Sequence, residues 1–95
     1  MSSIFNFNKP VIGLDGNPLM DANGPITIGS ILAPIIASQS KGDALKLFGW
    51  ALAIYKNEDL ILDKSDKQTL KDFIISSEQM TVLVKAQLLE VFNQQ

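Results

Sequence analysis

Ten carboxylates, eight lysines and one tyrosine are the side chains with which this chain could do acid–base chemistry, alongside its Ser and Thr hydroxyls. It has no His, no Cys and no Arg. Imidazole catalysis, thiolate nucleophiles, disulfides and zinc sites built from Cys or His therefore drop out. Without Arg, anion recognition falls to Lys, to backbone N–H groups or to a helix N-terminus. The carboxylates nowhere recur at a paired spacing that supports general acid–base work. Asp15 and Asp21 sit beside turn glycines, as calcium ligands do, but the EF-hand spacing and its closing Glu are missing. Asp59, Asp63 and Asp66 read more simply as helix caps and a solvated face.

One junction stands out. Lys41-Gly42-Asp43 precedes a long apolar segment and could cradle an anion at a helix start. It is not a phosphate loop, because the glycine spacing is absent and no Lys-Ser or Lys-Thr follows a second Gly. Lys41, Asp43, Lys46, Trp50, Tyr55 and Lys56 are accordingly the candidate contacts, to a second subunit or to a small anionic ligand such as a nucleotide. No cofactor, metal or enzymatic activity is expected.

Those six residues belong to, or flank, the stretch Asp43 to Asn57, DALKLFGWALAIYKN, which reads as the central helix. Leu45, Phe48 and Leu52 mark one face, and Leu47, Trp50 and Ile54 mark others. A helix apolar nearly all round is buried on several sides. It is then either the centre of a bundle or partly an intersubunit surface. Gly49 beside Trp50 suggests that another backbone packs close there.

The rest of the chain must supply the cover. Residues 1–9 form an arm with Ile4, Phe5 and Phe7, set before a single domain of residues 10–95. From Pro10 to Ile28 the pattern is a hairpin region. Asp15-Gly16 between apolar runs signals a type I′ turn, Pro18 restricts its strand to an edge, and Asn23-Gly24-Pro25 gives a second turn. Ile28, Ile31, Leu32, Ile35 and Ile36 form the stripe of a first helix capped by Thr27 or Ser30, with a kink or a later start expected at Pro34. After the central helix, Leu60-Ile61-Leu62 is a short extended piece. Asp63 or Ser65 caps an amphipathic helix to Ser76, and a last helix runs from about Thr81 to Phe92 with Val84, Leu88, Val91 and Phe92 as its stripe. The expected fold is α+β: an N-terminal β-hairpin followed by a small bundle of three to four helices.

The bulk numbers agree with one modest globular domain. Hydrophobic residues are 46%, charged residues 19%, and the net charge is −2. That balance argues against disorder and against an electrostatic nucleic-acid binder. No apolar run reaches the roughly 18 residues of a membrane span, and the start lacks a signal-peptide pattern. A cytoplasmic protein is expected.

Several motifs in order carry a family resemblance: LDGNP, a second Gly turn entering a TIG helix start, KGDALK, an aromatic in the next helix, LILDKSDKQTLKDF and TVLVKAQLLEV. Over roughly Pro10 to Phe92 the chain resembles a set of small proteins encoded by tailed bacteriophages and prophages, usually left without an assigned function. The resemblance implies a phage setting in an infected bacterium, and it brings no catalytic residue. With it, the expected function is a non-enzymatic interaction protein that binds and inhibits a host defence factor. A phage assembly chaperone or minor virion component is the alternative, and a nucleotide sponge a third reading. A homo-oligomer is expected, with Trp50 or the last helix in its interface.

Overall fold

Among the described residues, four helices stand where the apolar periodicity places them. The computed structural model describes residues 3–40 and 42–93. Its elements are β1 (Ser3–Phe5), β2 (Met20–Asp21), β3 (Gly24–Pro25), α1 (Ile28–Ala37), α2 (Ala44–Tyr55), β4 (Leu60–Leu62), α3 (Lys64–Ser76) and α4 (Val82–Asn93). This is the expected α+β architecture.

Short polar side chains start each helix by taking an orphan N–H. Thr27 Oγ1 accepts from Ser30 N–H at 3.1 Å, and Asp43 Oδ1 from Lys46 N–H at 3.2 Å. Asp63 Oδ1 accepts from Asp66 N–H at 2.7 Å, and Thr81 Oγ1 from Val84 N–H at 3.4 Å. Helix α1 starts at Ile28 and continues through Pro34 to Ala37, so its start is not displaced. The carbonyl that Pro34 cannot bond belongs to Ser30, which is exposed and open to water. Helix α2 ends on Asn57 in the left-handed region at φ 62°. Asn57 N–H donates to the Ile54 carbonyl and Glu58 N–H to the Ala53 carbonyl. That is the double hydrogen bond of a Schellman ending, with Asn in the place usually held by Gly.

The arm folds onto its own core. Strand β1 pairs antiparallel with β4, with Ser3 opposite Leu62, Ile4 opposite Ile61 and Phe5 opposite Leu60. Phe5 and Phe7 turn inward against Phe92 of α4, with ring centroids 5.0 and 5.9 Å apart. Asn6 Nδ2 donates to Asp59 Oδ1 at 2.9 Å on the outside. Behind the arm, Gly29 N–H donates to the Phe7 carbonyl at 3.0 Å. The core runs from these aromatics through Leu32, Ile36, Leu62, Leu70, Ile74 and Leu88. Among the described residues, no polar or charged side chain is buried.

The first hairpin turn is not type I′. Gly16 has φ +84°, but Leu14 and Asp15 do not have positive φ. Gly16 N–H donates to the Gly13 carbonyl at 3.0 Å, and Gly13 N–H to the Asn17 carbonyl at 2.8 Å. The loop is Leu14–Gly16, a right-handed turn closed by a left-handed glycine, the usual three-residue solution. Asp15 favours it by accepting from its neighbour two residues on, Asn17 N–H, at 3.0 Å.

Helix α2 departs most from expectation. Trp50, Ala51 and Ile54 are buried, so Trp50 belongs to the core of the chain. Phe48, Leu45 and Leu52 are exposed, so their face is not the buried one. Helix α4 likewise buries Val84, Leu88, Val91 and Phe92 within the chain, while Val82 at its start stays exposed. Nor does a backbone pack on Gly49, because a Cβ built there would meet nothing within 4 Å. Gly49→Ala should therefore stabilise the chain by about 0.5–1 kcal/mol, through helix propensity alone. A raised urea midpoint would show it, and a lowered one would mean that the position is covered.

Candidate functional site

At 100° per residue, the exposed apolar side chains of α2 fall together. Tyr55, Phe48, Leu52 and Leu45 lie within an arc of about 80°. Their exposures are 70, 59, 39 and 86%. Beside them, a groove of about 290 Å³ runs between α1 and α2, walled by Ala33, Pro34 and Ala37 on one side and by Phe48, Ala51, Leu52 and Tyr55 on the other. Small residues on α1 make this groove: Ala33 and Ala37 stand one turn apart and leave the aromatic rings overhanging. The arm does not reach it, since Phe5 and Phe7 are committed to Phe92.

The six residues singled out from the sequence do not converge. Lys41 lies outside the described residues. Asp43 caps α2. Lys46 Nζ pairs with Asp66 Oδ1 at 2.9 Å, tying the start of α2 to that of α3. The Asp66 carboxylate, as hydrogen-bond and charge partner, raises the pKa of Lys46. Trp50 is in the core, while Tyr55 and Lys56 are exposed at the far end of the helix. Lys46 and Lys56 are ten residues apart, about 15 Å along the axis. The described members of the set thus make no shared anion pocket. Tyr55 belongs to the apolar face and Lys56 lies beside it, while Asp43, the N-cap, falls about 160° round the helix from the centre of that face.

The carboxylates considered as metal ligands have other partners. Asp59 accepts from Asn6, Asp63 caps α3, and Asp66 holds Lys46. Among the described residues, no three carboxylates stand close enough to hold a metal ion. No helix there is long and apolar enough to cross a membrane.

A second surface escaped the sequence reading. Leu14, at the hairpin tip, is 99% exposed, and Met20 is exposed behind it. Three backbone segments brace the base of this tip in a ring. Leu19 N–H donates to the Val11 carbonyl, Val11 N–H to the Ile26 carbonyl, and Ile26 N–H to the Leu19 carbonyl. Val11 is fully buried beneath them. Gln87 of α4 then clamps the neighbouring peptide from both sides. Its Oε1 accepts from Ile12 N–H at 2.8 Å, and its Nε2 donates to the Ile12 carbonyl at 2.7 Å. A signal for this was present: Gln87 is the one polar residue of the otherwise apolar series Val84, Gln87, Leu88, Val91.

At the tip, the backbone N–H and then the side-chain amide of Asn17 hold the Asp15 carboxyl below its ordinary value of 3.8. A depressed folded-state pKa stabilises the turn above the ordinary value, and that contribution is lost as pH falls through the folded one. The Asn17 amide resonance should therefore titrate with a midpoint below 3.8. Asp15→Asn should abolish that step. A midpoint at or above 3.8 would mean that the turn is open in solution.

No family model, curated protein or solved structure matches the chain. The phage resemblance rests on the quoted motifs alone.

Proposed function

We propose that this chain is a non-enzymatic interaction protein of phage type that works in the cytoplasm of an infected bacterium, where it binds and inhibits a host defence factor. The hairpin tip is its contact. One observation supports this reading: a leucine with essentially its whole side chain in water, on a loop whose base is held by a backbone ring and a two-bond glutamine clamp. An exposed apolar side chain on a rigid mount loses little freedom when a pocket takes it up, so more of its burial appears as affinity. Leu19 and Met20 extend the apolar surface along the hairpin.

The test is affinity capture from infected cells with the full chain and with Leu14→Asp. Leu14 contacts nothing that holds the fold, so the variant should keep the wild-type melting temperature. The expected result is one host protein captured by the wild type and lost with Leu14→Asp, whose activity falls when the wild type is added back. Loss of a phage head or tail protein instead would move the function to assembly. An unchanged set of captured proteins would overturn the role of the tip.

A further inference from the structure

The apolar face of α2 is built for a second copy of itself. Its four large side chains are Leu45, Phe48, Leu52 and Tyr55. Their spacing is three, four, three, which is symmetric about residue 50. We propose that two copies pair through this face by a twofold axis, with their α2 helices antiparallel. Leu45 then lies opposite Tyr55 of the second copy, and Phe48 opposite its Leu52. Each contact sets a leucine against an aromatic ring, and each occurs twice, as an isologous interface requires.

The direction follows from the same spacing. Parallel pairing would set Leu45 against Leu45 and Tyr55 against Tyr55, and no leucine would meet a ring at either end. The charged side chains at the start of α2 stay clear of the face: Lys46 is turned away toward Asp66, and Asp43 caps the helix about 160° round from the centre of the stripe. The groove beside Ala33, Pro34 and Ala37 gives the second copy's side chains room to interdigitate.

The area fits a weak dimer. The four side chains expose on the order of 500 Å², a size at which a patch on a monomer is often functional. A standard interface buries about 800 Å² on each side. With Pro34 and Ala37 added, the face falls near the low end of that class, and association belongs in the micromolar range. This surface is separate from the hairpin tip, so either proposal can fail without the other.

Sedimentation equilibrium across the micromolar range should show the mass rising from the 10.4 kDa monomer toward twice that value. Phe48→Lys should hold it at the monomer with the melting temperature of dilute wild type retained. Because the chain has no cysteine, the register can be read by cross-linking. Leu45→Cys and Tyr55→Cys, mixed and oxidised, should form a disulfide dimer far faster than either variant alone. A monomer at every concentration would overturn the proposal and leave the face to a different protein. Rapid self-cross-linking of Leu45→Cys alone would overturn the antiparallel register.

Discussion

Phe92→Ala should leave the chain unfolded or close to it. Phe92 is buried where α4 meets the arm, and it touches both Phe5 and Phe7. Truncating a buried Phe costs about 3–5 kcal/mol, because the transfer energy is lost and a cavity remains. A domain of this kind holds about 5–15 kcal/mol in total. The loss also loosens two aromatic contacts on which the docking of β1 depends. Urea unfolding followed by circular dichroism checks it. Phe48→Ala is the control that separates the two kinds of phenylalanine. The sequence pattern places Phe48 in the core, but its exposure limits the loss to less than about 1 kcal/mol. A Phe92→Ala variant with the wild-type midpoint would mean that the arm is not packed on α4.

Gly29→Ala should destabilise by about 1–3 kcal/mol, the usual cost of forcing atoms into a filled site. A Cβ there would stand 3.0 Å from the Phe7 carbonyl oxygen and 3.1 Å from Ile54 Cγ2. The first of these is backbone, and its carbonyl accepts from Gly29 N–H, so it cannot swing aside without loosening the arm. The comparison with Gly49→Ala is informative because both add the same methyl group to a helix. One meets a wall and the other meets water, so the two midpoints should move in opposite directions. Equal shifts would show that propensity alone governs both sites.

The contrast between these glycines indicates what periodicity can and cannot report. Helices α1, α3 and α4 each carry one apolar stripe, and the caps Thr27, Asp43, Asp63 and Thr81 are local signals, so their placement was legible. Helix α2 is apolar over most of its circumference. There the pattern marks a helix but not its inner side, and Phe48, read as core, stands at the surface as a result. The pairing of β1 with β4 joins residues nearly sixty apart, and nothing local in either strand names the other. The exposed Leu14 follows from turn geometry: an Asp-Gly signal locates the turn, but the side-chain bond to Asn17 selects its type. Of the candidate site, Tyr55 and the neighbouring Lys56 remain at the α2 face. Leu45, Phe48 and Leu52 join them only once the face is known to be bare.

Phe92 also couples folding to the order in which the chain is made. Synthesis delivers the arm early, while its strand partner β4 and its aromatic lid on α4 come late. Until β4 has left the ribosome, Ile4, Phe5 and Phe7 have neither pairing nor lid and form a short sticky strand with an unpaired edge, and until α4 follows, Phe5 and Phe7 still lack their lid. The nascent protein therefore carries a chaperone-accessible segment that is covered in two steps, first by β4 and then by α4. Chains stalled before α4 would keep that segment on display, and cellular quality control would recognise them by it.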